Sequence, residues 1–156
     1  MSTTDEGTAS DSDTVAAPDA PPHEGEDWFL QTIVAYANVG FEIGLTLMVG
    51  GLTVSGVLIS GKKYFEELGE SVRAAKSQSP EMMNTLAETW SSFSRIYEKP
   101  EGASDDWLLP PASYIHLRSA YVFAPGAGHL PTGKGTLWRG RVAAVDGFAI
   151  GNLTVS

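Results

Sequence analysis

The string with the clearest chemical pattern in this sequence is Gly128-His129-Leu130-Pro131-Thr132-Gly133-Lys134, which matches most of the phosphate-binding motif G-x-x-x-x-G-K. Gly135 occupies the position at which that motif needs Ser or Thr to hold magnesium. The motif also has to open a helix whose backbone amides bind phosphate, whereas the stretch from Leu137 to Val142 has the pattern of a strand. We therefore interpret this string as a loop and not as a nucleotide site.

Other candidates for acid–base or metal chemistry are few. The three histidines are His23, His116 and His129, and none has a ligand-type neighbour at a useful spacing. Asp105-Asp106 is a carboxylate pair that we interpret as a solvated turn. The absence of cysteine excludes a thiol nucleophile, a disulfide and a cysteine-ligated metal. The sequence thus predicts a non-enzymatic protein with no catalytic residue, metal site or cofactor, although residues distant in sequence could still meet.

The most concentrated feature is Trp138-Arg139-Gly140-Arg141. On a strand, Arg139 and Arg141 point to one face and Trp138 to the other. One interpretation is a buried tryptophan with solvated arginines. The other is a basic contact strip for an acidic surface, an acidic tail or a nucleic acid, since arginine is enriched at interfaces. We take as candidate partner-binding residues His116, Arg118, Trp138, Arg139 and Arg141.

Negative charge is concentrated at the N-terminus. Residues 1–26 hold seven of the 19 acidic residues and no Lys or Arg, so the net charge of −9 belongs mostly to them. This segment has no aromatic residue and cannot bury enough apolar surface to offset its ordering entropy. We predict a disordered acidic tail over 1–26, with either a solvating or a contact role, and a single domain over 27–156. The N-terminus also lacks a signal-peptide pattern, which favours the cytoplasm.

The elements that would position the strip follow from periodicity. Asp27 is placed to cap a helix from Trp28 to Ala37, with Phe29, Ile33 and Ala37 on its buried face. Alternating apolar residues predict strands over 41–49 and 52–60, joined at Gly50-Gly51. The uncharged run 43–61 is long enough to span a membrane, but its glycines and its period of two favour a hairpin, so we predict no membrane segment.

Two helices are predicted next, the first capped by Ser60 and the second starting at Ser79-Pro80-Glu81. The second carries an apolar stripe, which favours core packing but would also suit docking of a partner helix. The stripe consists of Met82, Leu86, Trp90, Phe93 and Tyr97.

The C-terminal third is predicted to be β-structure. Tyr114 to Phe123 has the pattern of a strand. Its predicted faces hold Ile115, Leu117, Ser119, Tyr121 and Phe123 on one side and His116 and Arg118 on the other. Thr136 to Val145 and Phe148 to Val155 flank Asp146-Gly147, a strong hairpin-turn signal.

These elements predict an α+β fold. Its sheet would be a small five-stranded antiparallel β-barrel or a strongly bent sheet, and an Sm-like or SH3-like arrangement is one form it could take. An N-terminal helix precedes the sheet, and two helices are inserted between strands 2 and 3. Function does not follow from such a fold alone.

Several short strings occur together in an order that resembles the gas vesicle protein U (GvpU) family. They are Ser55-Gly56-Val57-Leu58-Ile59-Ser60, Tyr64-Phe65, Ile115-His116-Leu117, Trp138-Arg139-Gly140-Arg141-Val142 and Val145-Asp146-Gly147-Phe148. The resemblance covers roughly Val39 to Leu153. The acidic tail and the Gly- and Pro-rich loop from Ala124 to Gly135 depart from it.

The resemblance implies an accessory protein of gas vesicles, the air-filled protein shells of buoyant bacteria and archaea. It implies a cytoplasmic, vesicle-associated protein that influences vesicle assembly or clustering. Its partners would be the shell, other gas vesicle proteins or further copies of itself. The alternative is an Sm-like RNA-binding module, which would read bases with aromatic residues and arginine. The folded part lacks the positive charge that this role needs, so nucleic acid is the less favoured partner.

Overall fold

The computed structural model describes residues 25–153. In chain order its helices and strands are α1 (Trp28–Asn38), β1 (Ile43–Val49), β2 (Leu52–Ile59), α2 (Gly61–Ala74), α3 (Pro80–Ser92), β3 (Tyr114–Phe123), β4 (His129–Leu130), β5 (Thr136–Arg141) and β6 (Gly147–Ile150). Two 3₁₀ segments cover Phe93–Tyr97 and Val142–Ala144. The predicted α+β class is confirmed, together with the N-terminal helix and the two inserted helices. Of the predicted disordered tail, residues 1–24 lie outside the described range.

Helix α1 begins where its cap was predicted. The Asp27 carboxylate accepts hydrogen bonds from the backbone N–H groups of Phe29, at 2.8 Å, and Leu30, at 3.3 Å. Leu30, Ile33, Val34 and Ala37 are buried against the sheet. Phe29 was expected on this face but is 47% exposed, because the buried stripe is centred on Leu30 and Val34.

The sheet has six antiparallel strands in the order β5-β3-β2-β1-β6, and β4 pairs with the far end of β3. One face carries the apolar core that packs under α1. The core residues of the strands include Leu45, Leu47, Leu58, Ile115 and Leu117. We call this the core face and the opposite one the second face. The β1–β2 hairpin occupies most of the predicted uncharged run. None of the helices among residues 25–153 has both the length and the apolar character that crossing a bilayer requires.

The sheet is not closed into a barrel, and the predicted Asp146-Gly147 hairpin is wrong. Among the described residues β5 pairs with β3, whereas β6 pairs with β1 at the opposite edge. The chain passes between these edges through the 3₁₀ segment Val142–Ala144. An Asp-Gly pair signals a local change of direction. It carries no information about which strand the following residues will meet.

Strand β3 contains an irregularity that reverses its alternation. Ser119 has a φ of 50°, and the pairing of β3 shifts register beside it on both neighbouring strands. Ala120 and Val122 therefore join the core, where Tyr121 and Phe123 had been predicted. His116 and Arg118 lie before the shift and keep their predicted place on the second face.

The inserted helices form a pair in which α3 packs on α2 and α2 packs on β3. The helices approach closely at Gly69, where a Cβ atom would clash with the Ser91 hydroxyl. Because α3 lies outside α2, its apolar stripe is only partly covered: Met82 is 69% exposed and Phe93 is 41% exposed. The core interpretation of this stripe therefore fails for these two residues, and docking of a partner on it stays a prediction.

Candidate functional site

The second face of the sheet holds a cluster of rings around a buried histidine. His116 of β3 is 2% exposed. The ring centroid of Tyr64 lies 4.6 Å from that of His116, and those of Tyr97 and Phe65 lie at 5.9 and 6.1 Å. Tyr64 and Phe65 come from α2 and Tyr97 from the following 3₁₀ segment. The helices thus cover His116, and its side chain is not part of an exposed surface.

Arg139 closes this cluster from strand β5. Its Nη1 lies 3.2 Å from His116 Nε2, and its guanidinium carbon lies 3.8 Å from the centroid of the Tyr114 ring and 5.4 Å from that of Phe65. Because a guanidinium only donates hydrogen bonds, Nε2 accepts and the histidine proton is on Nδ1. Stacking on an aromatic face is a favourable position for arginine. The side chain of Arg139 is therefore fixed in direction while remaining exposed.

The cluster is electrically neutral apart from this guanidinium. Burial, helped by the charge of Arg139, lowers the pKa of His116 from 6.5 to about 3. Burial also raises the pKa values of the Tyr64 and Tyr97 hydroxyls above their ordinary value of 10, so both carry no charge at neutral pH. The single positive charge of the cluster therefore belongs to Arg139, at its outer edge.

Arg118 lies two residues from His116 on the same face, in different surroundings. Its guanidinium donates to Glu67 of α2 at 2.8 Å and to Glu42, just before β1, at 2.7 Å. Lys63 also pairs with Glu42, and its hydrogen bond is the largest cause of the lowered pKa of that carboxyl group. The structure thus assigns Arg118 to an ion-pair network that joins β3, α2 and the residue before β1, and not to the exposed strip.

Trp138 and Arg141 have the predicted orientations. Trp138 is half-buried against the core, and its indole lies across Gly140, where a Cβ atom would clash with the ring. Arg141 lies on the same face as Arg139, opposite Tyr114 in register, and is exposed. Neither Arg139 nor Arg141 forms an ion pair with a carboxylate of residues 25–153. We call Arg139 and Arg141 the arginine strip.

The predicted turn residues serve the opposite edge of the sheet. The Asp146 carboxylate accepts from the backbone N–H of Gly50 at 3.0 Å, and the Asp146 backbone N–H donates to the Met48 carbonyl at 2.8 Å. Gly147 is the first residue of β6. Asp146 therefore stabilises the β1–β2 turn in place of forming a turn of its own.

The sequence interpretation did not predict that four aromatic residues would surround His116 and Arg139: Tyr64, Phe65, Tyr97 and Tyr114. One signal was available, because Tyr114 and His116 are two residues apart on one strand and must share a face. The string Gly128 to Lys134 contains the two-residue strand β4, so the prediction of an uninterrupted loop is wrong, but the predicted strand after it is confirmed as β5. Among residues 25–153 no three His, Asp or Glu side chains come together as a potential metal site.

The fold and the strip define a small α+β protein that presents two neighbouring arginines at one sheet edge. Residues 27–153 match the family model described as "Gas vesicle protein GvpU-like", and the chain therefore belongs to this family. The match includes the whole range of the resemblance seen in the sequence and identifies a gas vesicle-related protein. No curated protein and no solved structure gave a significant match.

Proposed function

We propose that this protein is a non-enzymatic accessory protein that associates with the gas vesicle shell in the cytoplasm. In this proposal it influences vesicle assembly or clustering through protein–protein contacts of the arginine strip. Membership of the GvpU-like family supports the link to gas vesicles. The strip provides the contact that the family name does not specify.

The observation that carries the proposal is the state of Arg139. Tyr114 and His116 hold its guanidinium, yet it has no carboxylate partner among residues 25–153. A side chain already fixed in direction loses less entropy when it binds. Its remaining N–H donors suit a carboxylate, which a guanidinium can bind through two parallel hydrogen bonds. Arg141 adds a second donor group on the same face.

Clustering requires many such contacts acting together. One exposed ion pair contributes only ~0.2–1 kcal/mol and is weakened by salt. A shell built from repeated subunits would present the same acidic site many times, so weak contacts would add up to strong attachment. We therefore expect vesicle association to fall steeply as the ionic strength rises.

Flotation with isolated gas vesicles tests this directly. Arg139→Glu combined with Arg141→Glu should remove most of the protein from the floating fraction at low salt. The matched control is Arg73→Glu with Lys76→Glu, which reverses two exposed charges, one in the last turn of α2 and one just after the helix, and should float normally. Because Arg139 also packs in the ring cluster, circular dichroism must show that the double variant is folded.

Arg141→Glu alone provides the second arm, because Arg141 is exposed and its loss should leave the fold intact. It should weaken flotation to an intermediate degree. Normal flotation of the folded double variant at low salt would contradict the proposal that the arginine strip contacts the vesicle. Equal loss in the Arg73 and Lys76 control would show that net charge, not this site, controls association.

A further inference from the structure

The β5 edge of the sheet is a local excess of positive charge. After residue 112 the only acidic residue is Asp146, and its carboxylate is bound to Gly50 at the β1–β2 turn. Arg139, Arg141 and the exposed Lys134 are therefore not neutralised by the part of the chain that forms this edge. By contrast, Arg118 has two carboxylate partners on the same face.

The N-terminal segment has the opposite composition. Its acidic residues are Asp5, Glu6, Asp11, Asp13, Asp19 and Glu24, and the first basic residue of the whole chain is Lys62. No lysine or arginine lies near these six carboxylates in the sequence.

The segment joins the described part at the same end of the sheet as Arg141, next to helix α1 on the core face. The Gln31 side-chain amide donates to the Glu26 carboxylate at 2.6 Å and to the Ala112 carbonyl at 2.8 Å. Ala112 is two residues before Tyr114, and Tyr114 pairs in register with Arg141. Glu26 is thus held at the end of the sheet where Arg141 lies.

The chain that connects Glu26 to the acidic residues before it is long compared with the spacing of the strands. Asp19 precedes Glu26 by seven residues, which can span up to roughly 23–25 Å when extended. Arg139 and Arg141 are two residues apart on a strand, or about 7 Å. Because neighbouring strands lie about 5 Å apart, a tether of this length from Glu26 can cross several strands, and the acidic residues before Asp19 have a longer tether.

We infer that the acidic segment containing Asp5 to Glu24 binds the arginine strip of its own chain and so competes with an external acidic partner. This inference rests on the proposed strip but not on its attachment to vesicles. A tethered segment acts at an effective concentration on the order of 1 mM. For an isolated contact with a Kd on the order of 0.1 mM, the segment lowers the apparent affinity for a partner about tenfold.

The test uses the full chain with its acidic segment neutralised: Asp5→Asn, Glu6→Gln, Asp11→Asn, Asp13→Asn, Asp19→Asn and Glu24→Gln. The probe is a fluorescent synthetic peptide with the sequence of residues 1–24, and anisotropy at low salt measures its binding. We expect the neutralised chain to bind the peptide about tenfold more tightly than the native chain does. Adding Arg139→Gln and Arg141→Gln to the neutralised chain should abolish binding, whereas adding Arg73→Gln and Lys76→Gln should not.

Arg141→Gln alone keeps the test valid if the double strip variant does not fold, and it should weaken peptide binding several-fold. Equal peptide affinity of the native and neutralised chains would overturn the inference, as would binding that survives the loss of both strip arginines. Peptide affinity of the native chain that rises on dilution would also overturn it, because the competing segment would then come from a second copy. Vesicle flotation plays no part here, so this inference and the proposed function can fail separately.

Discussion

Arg118 and Arg139 lie on the same face of the sheet, on either side of His116, but they are held in different ways. Arg118 is bound by the carboxylates of Glu67 and Glu42. Arg139 is bound by the Tyr114 ring and by the neutral His116. An arginine held by carboxylates has its charge compensated inside the protein, whereas one held by rings keeps its charge available. Strand position alone therefore does not tell a structural arginine from one that can contact a partner.

The largest expected effect concerns the support beneath the arginine strip. Trp138→Ala removes the indole that joins β5 to the core, and we expect a loss of about 3 kcal/mol in the free energy of unfolding. Chemical denaturation measures it, with Leu108→Ala, an exposed loop change, as the control. If Trp138→Ala lowered the free energy of unfolding by less than about 1 kcal/mol but abolished vesicle binding, Trp138 and not the arginine strip would be the contact.

A pH titration tests the neutral histidine on which Arg139 rests. The pKa of His116 is about 3 in the folded protein and 6.5 as its ordinary value, so between these values the unfolded chain binds one more proton. Stability is therefore lost as the pH falls below about 6.5. From pH 7.5 to pH 5 the loss should be about 2 kcal/mol.

His116→Gln provides the control for this titration, because the amide cannot titrate but its oxygen can still accept from Arg139. Its stability should change little over the same range. The lowered pKa of Glu42 adds a loss of stability only at more acidic pH, as its carboxylate protonates. An equal pH dependence in the native protein and in His116→Gln would show that another group is responsible.

The ion-pair network should respond to salt, and the ring cluster should not. Arg118→Gln should cost about 1 kcal/mol at low salt, because its pairs are partly exposed, and the difference from the native protein should shrink at high salt. Arg139→Gln removes stacking and a hydrogen bond to a buried acceptor, so its cost should persist at high salt. If the stability costs of the two variants depended on salt in the same way, the distinction between an arginine held by carboxylates and one held by rings would be wrong.

The smallest effect is expected for Arg141. Arg141→Gln should change the free energy of unfolding by less than about 0.5 kcal/mol, since the side chain is exposed and unpaired with any carboxylate of residues 25–153. Thermal denaturation measures this, and the same variant should bind vesicles more weakly. A large loss of stability in Arg141→Gln would show that Arg141, like Arg118, is a structural residue.

Local signals in the sequence predicted local structure well. Asp27 and Ser60 cap their helices as expected, and strand alternation placed Arg139 and Arg141 on one face with Trp138 on the other. The ring cluster could not be predicted, because Tyr64 and Tyr97 reach His116 only after α2 folds over the sheet. The face of Tyr121 was missed because the irregularity at Ser119 has no apolar pattern of its own.

The crossing from β5 to β6 has a consequence for how this chain is made. β1 pairs with β6 between residues about a hundred positions apart, such as Leu45 and Ile150. During synthesis the edge of β1 therefore stays unpaired until almost all of residues 25–153 have left the ribosome, and an unpaired strand edge is a site of aggregation. A nascent chain stalled when only residues up to 146 have left the ribosome should accordingly bind chaperones and be cleaved readily by proteases. Emergence of the next few residues should reverse both properties.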